Sequence, residues 1–160
     1  MARPPAFQGS EDTYLKFALR SAPALAQFHI LDSLRSSKAA LLEHLAGTDV
    51  ARRHVELPET VRHRSANGII AASRARAKHR PIWRLSKEAR AHAPAWLLDD
   101  GTFAEAANRD ADCLSRVLDL ATRLTETREK IKAAFLAERL RTTGRSVIGF
   151  AFHLSSLLVI

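Results

Sequence analysis

The amino-acid sequence predicts an all-α fold, a bundle of about five to seven helices, and three observations carry that expectation. Alanine and arginine, both strong helix formers, are abundant, while glycine and proline number only six each. Gly9, Gly47, Gly68, Gly101 and Gly144 act as punctuation, each falling between segments with helical spacing of apolar residues. Runs of β-branched residues are nearly absent. With 160 residues, 46% of them apolar and 26% charged, the chain suits a single helical domain over 1–160 and can bury a real core.

The elements follow in chain order. Ser10, before Glu11 and Asp12, starts a first helix with its acids near the positive end of the dipole. Pro23 lies early in the next turn, which makes Ser21 the cap of a new start. Leu25, Phe28, Leu31, Leu34, Leu41, Leu42 and Leu45 then trace one face, predicting a helix over 22–46 that stops at Ala46-Gly47. Asp49 caps a short helix through Val55, ended by Pro58. Glu59 to Lys78 forms a further segment, broken at Asn67-Gly68 and closed by Pro81. Ser86 to Leu98 reads as another helix, interrupted at Pro94, with Trp83 and Trp96 as apolar anchors at its ends.

Asp99-Asp100-Gly101 reads as a turn, and Thr102 with Glu105 as a capping box. No glycine or proline then occurs until Gly144, which predicts one long helix over about 102–142. Its stripe runs through Phe103, Ala107, Ala111, Leu114, Val117, Ala121, Leu124, Arg128, Ile131 and Phe135, in the alternating steps of a bundle or coiled-coil seam. Leu114, Val117, Leu124, Ile131 and Phe135 are the residues expected at a helix interface, facing a protein partner or a second copy. Such a helix would span roughly 60 Å at about 1.5 Å per residue, so it either bends or projects toward that partner.

Residues 146–160 carry no formal charge and form an apolar tail shorter than the ~20 residues that cross a bilayer as a helix. Three readings stand open for it: a buried core helix, which is favoured, a membrane-associated tail, and a strand or partner-docked segment.

Charge is segregated. Residues 52–90 hold eleven bases against three acids, a surplus of eight that equals the net charge of the whole chain. The remaining fourteen bases and fourteen acids cancel. Arginine outnumbers lysine nine to two in this stretch, which favours bidentate contacts to phosphate or carboxylate. A local basic surface is the electrostatic footprint of a polyanion partner, nucleic acid or an acidic protein surface. Arg74, Arg76, Lys78, Arg80 and Arg84 are the residues expected to make the contact. A helix-turn-helix centred on Gly68 fails, because Arg64 stands where a small residue is needed and Arg74 where an apolar one is. Binding would therefore rest on phosphates rather than on base edges. The alternative is a subunit of a larger complex whose arginines pair with an acidic partner or with anionic lipid, membrane attachment through 146–160 included.

Catalysis has little to stand on, and the expectation is a non-enzymatic protein with no cofactor and no metal. The seven histidines are dispersed, with no His-x-x-x-His pair, and no Gly-rich phosphate loop or Gly-x-Ser-x-Gly elbow occurs. Asp110 and Asp112, two apart, point to different faces of a helix. Cys113 is the only cysteine, which excludes an internal disulfide and reads as a partly buried, inert thiol. His29 and His44 read as core-edge residues. The cysteine usage and the absence of a secretory pattern fit an intracellular, cytoplasmic protein. Lys16 and Arg20 permit an organellar presequence, against which Glu11 and Asp12 count.

Overall fold

The computed structural model describes residues 11–55, 67–78, 90, 91 and 93–144. Among these it holds seven helices and no strand: α1 (Glu11–Ser36), α2 (Lys38–Ala46), α3 (Thr48–Val55), α4 (Ile69–Lys78), α5 (Ala95–Leu98), α6 (Asp100–Thr122) and α7 (Thr127–Thr143). The all-α architecture is as expected. The readings placed on Trp83, on Glu59 to Ala66, on Pro81 to Ala89 and on the tail 146–160 lie outside the described residues.

The core is organised around α2, the sequence KAALLEHLA, in which every residue from Lys38 to Glu43 and also Leu45 is buried. Leu41, Leu42 and Leu45 cluster with Ala51 of α3 and Ala121 of α6, while Ile30, Leu34, Ile69, Leu114 and Val117 pack around them. Burying a leucine is worth about 1.5–3 kcal/mol, so these three side chains carry much of what holds the neighbouring helices to α2. Two glycines make the fit tight. Gly47 ends α2 at φ 94 and ψ 168, a conformation open essentially to glycine alone, and lets α3 start at once. Gly68 precedes α4, where a Cβ would fall inside the backbone of Leu45 and Ala46, so only glycine allows α4 this close to the end of α2.

Three expected boundaries move. Pro23 does not start a new helix but sits inside α1, which runs unbroken from Glu11 to Ser36. The break falls instead at Ser37, whose extended backbone (φ −167, ψ 166) and Oγ, accepting the Ala40 N–H at 3.0 Å, cap α2. This break shifts the phase of the apolar stripe, so Leu41, Leu42 and Leu45 are buried while Leu25 and Phe28 are 55% and 58% exposed. The cap of α6 lies three residues earlier than the expected Thr102. Asp99 is its cap, Oδ2 accepting the Thr102 N–H at 2.7 Å, and Asp100 and Gly101 belong to the first turn.

The third shift divides the long helix expected over 102–142 into α6 and α7 at Arg123–Glu126. No glycine or proline marks the place. The α6 chain ends in i to i+3 hydrogen bonds from Arg123 to the Leu120 carbonyl and from Leu124 to the Ala121 carbonyl, each 3.2 Å. Three charged side chains at the start of α7 then grip the joint between α1 and α2. Arg128 donates to the Leu34 carbonyl, and Lys132 Nζ donates to the carbonyls of Arg35 and Ser36 at 3.1 and 2.8 Å. Glu129, 3% exposed, accepts the Lys38 N–H at 2.8 Å. Cations thus satisfy the orphan carbonyls that end α1, and a carboxylate satisfies an orphan amide that begins α2. These contacts turn α7 away from the line of α6, and tertiary structure overrides a helical run with no local stop signal.

Candidate polyanion-binding surface

The basic helix α4, IIAASRARAK, contains no acid. It lies along α6 and also meets α2 through the close approach at Gly68. Ser73 is its buried residue, with Ile69, Ile70 and Ala77 half-buried beside it. Arg74, Arg76 and Lys78 are exposed. Arg80 and Arg84 lie outside the described residues.

The three described cations do not form one stripe. Positions 74 and 78 share a helix side and position 76 points to the other, so the two arginines straddle the buried seam. Arg74 Nη2 stands 3.7 Å from Asp112 Oδ1 on α6, both side chains more than half exposed. At that distance and exposure the pair is worth no more than about 0–1 kcal/mol, which leaves Arg74 available to a stronger anion. Arg76 lines a cleft between α1, α4 and α6, a volume of about 1010 Å³, with Asp110 and Arg20 on the same walls. Asp110 and Asp112 face different ways on α6, as the sequence implies: Asp112 pairs with Arg74, and Asp110 lines the cleft that Arg76 also lines. Lys78 has no ion pair among the described residues. Arg52, earlier in the basic stretch, is 3.7 Å from Asp49 one turn away on α3.

The interface residues divide at the break. Leu114 and Val117 of α6 are half-buried against the core and serve the chain's own packing. Leu124, Ile131 and Phe135 lie beyond or within the turn and are 42%, 64% and 59% exposed. Phe135 is covered on one side by the Arg139 guanidinium, 5.4 Å from the ring centroid. Cys113 is exposed on the cleft wall and not partly buried as expected, since it falls beside the apolar stripe and not on it. His29 is exposed and His44 half-buried, their rings 6.2 Å apart across α1 and α2.

Sequence reasoning missed the Arg128–Glu129–Lys132 grip altogether. Burial pushes the Glu129 carboxyl up, but the Lys38 and Glu129 amides and the adjacent Arg128 outweigh it and hold the group below the ordinary carboxylate value. Among the described residues no group of three or more His, Cys, Asp or Glu side chains could hold a metal ion, and no helix is long and apolar enough to cross a membrane. Comparison with protein-family models, with curated proteins and with solved structures finds no match to this chain.

Proposed function

We propose that the protein is a non-catalytic helical binding and assembly protein, and that its arginine-rich surface contacts nucleic acid or another polyanion mainly through phosphates. The observation that carries this reading is the exposure of Arg74, Arg76 and Lys78 on an acid-free helix, within the one stretch that holds all the surplus charge. Asp110 and Asp112 temper the local potential without closing it, because the one ion pair of α4 among the described residues, Arg74 with Asp112, is long and solvated. The straddled placement of the two arginines suits an anion that wraps the exposed side of α4 and reads no sequence.

A titration with double-stranded nucleic acid at several salt concentrations tests the reading. Each phosphate contact contributes about 0.9 to the slope of log affinity on log salt, so the triple variant Arg74→Ala, Arg76→Ala, Arg80→Ala flattens it by about 2 to 3. No binding at low salt, or an unchanged slope in the triple variant, sinks the proposal.

A second reading, a subunit of a larger complex, is favoured by a separate observation. Ile131 and Phe135 are both more than half exposed on α7, beside the residues that grip the α1–α2 joint. Two large apolar side chains one turn apart are the usual anchors of a helix docked in a groove.

A further inference from the structure

We propose that the cleft between α1, α4 and α6 binds an amphipathic monoanion, an acyl chain ending in a carboxylate. The cleft holds about 1010 Å³, the upper end of small-molecule sites. Leu19, Ala26, Ile30, Ile69, Trp96 and Leu114 give it a mainly apolar wall. A neighbouring hollow of about 580 Å³ shares Leu19, Ser73, Arg76 and Trp96 with it and reaches Phe103, whose ring stacks on that of Trp96 with centroids 6.4 Å apart. Together the two are lined by α1 from Ala18 to Leu31, a length of about 20 Å at 1.5 Å per residue.

The packing of α1 accounts for this space. α1 is held to α2, but its contact with α4 and α6 is sparse. Every residue from Ala22 to His29 is exposed, and the stretch holds no acid, lysine or arginine. A helix docked on a core buries one apolar stripe, whereas these two turns bury none and leave alanine, leucine and phenylalanine side chains in water. An apolar chain laid in the cleft removes its α1 wall and the facing side chains of α4 and α6 from water together. The length of the space selects an extended chain over a compact body.

Charge selects the other end of the ligand. Arg20 and Arg76 lie on the cleft wall, both exposed and neither in an ion pair among the described residues. Asp110 is the one acid on that wall, so two cations against one acid leave a surplus of one positive charge. A carboxylate matches that surplus and suits the guanidinium fork, while Asp110 disfavours a doubly charged head group. Gln27 on the same wall adds an amide donor. Arg76 also belongs to the polyanion surface, but the cleft does not rest on that reading: it stands on its apolar wall and on Arg20.

The test uses the whole protein and dodecanoate below its micelle-forming concentration, with acetate and dodecyltrimethylammonium as controls. Cys113, the only cysteine of the chain, is exposed on the cleft wall, so the rate of its reaction with a water-soluble maleimide reports occupancy. Dodecanoate is expected to bind saturably and to slow that reaction at least tenfold at saturation. Acetate should not slow it, and dodecyltrimethylammonium should bind at least tenfold more weakly. Ala26→Trp, which fills the cleft, and Arg20→Gln with Arg76→Gln are each expected to weaken dodecanoate binding at least tenfold. Arg74→Gln, which is not on the cleft wall, should leave it unchanged. Equal binding of the ammonium, an undiminished maleimide rate at saturation, or undiminished binding by Ala26→Trp overturns the proposal. A Cys113 thiol already closed to the reagent in the ligand-free protein also overturns it, because the cleft then has another occupant. Should a variant fail to fold, protection of Cys113 by dodecanoate and not by the ammonium, in the unaltered protein, decides alone.

Discussion

Replacing Glu129 by alanine removes the acceptor that the Lys38 amide uses at the start of α2 and strands that amide in a buried position. A hydrogen bond to a charged group is worth about 1.5–3 kcal/mol, and an orphaned buried donor adds its own desolvation penalty, so the expected loss is about 3 kcal/mol. Glu129→Gln keeps an acceptor oxygen but no charge, and should lose about half as much. Urea denaturation measures both, as a lower midpoint at unchanged slope. The pH dependence checks the cause. Because the folded carboxyl sits below its ordinary value of 4.5, the advantage of the native protein over Glu129→Gln is complete above that value. It disappears as pH falls through the folded value, where the native carboxyl takes up its proton. An alanine variant within about 0.5 kcal/mol of the native protein would refute the reasoning, since that is the size of an ordinary surface change. So would a native-to-glutamine difference that persists undiminished into strong acid.

Gly68→Ala should destabilise by about 3 kcal/mol, the upper part of the overpacking range, because the obstructing atoms are the Leu45–Ala46 backbone and cannot rotate away. Thermal unfolding checks it, with Gly101→Ala as the contrast: the nearest atom there is a side-chain oxygen of Asp99 at 3.3 Å, and stability should change by less than about 1 kcal/mol. Ile131→Asp with Phe135→Asp should leave the melting temperature nearly unchanged, since both side chains are already largely in water. The same pair should abolish co-purification of any protein partner, and retention of that partner would argue against the α7 interface.

Helical content was legible because it rests on local propensity and on glycines at the ends of segments. The breaks at Ser37 and at Arg123–Glu126 were not, nor was the continuity of α1 through Pro23, and each failure has its own cause. Apolar steps continue across Ser37 from Leu34 to Leu41, so spacing alone joins two helices that a serine cap separates. Pro23 carries a strong local signal, yet the helix absorbs it. At Arg123–Glu126 there is no local signal at all, because the turn is imposed by side chains that meet carbonyls more than ninety residues away. Arg128 stands within the stripe between Leu124 and Ile131, and only its four-residue spacing to Lys132 hints at a shared task. On α4 the sequence located the cations but not the acids across from them, since proximity of Asp112 to Arg74 depends on how α4 lies along α6.

The enclosure of α2 has a consequence for how the chain reaches its native state. Its walls come from α1 and α3, adjacent in sequence, and from α4 and α6, which arrive from much further along; Ala121 closes on Leu41, Leu42 and Leu45 across some eighty residues. The local walls can assemble early, for little loop-closure entropy, but the last one waits on a distant segment. During synthesis, α2 therefore leaves the ribosome with its leucines half-covered and stays so until α6 has emerged. A shortened chain that ends before α6 would keep its helices and expose the seam they were meant to share, making it prone to self-association.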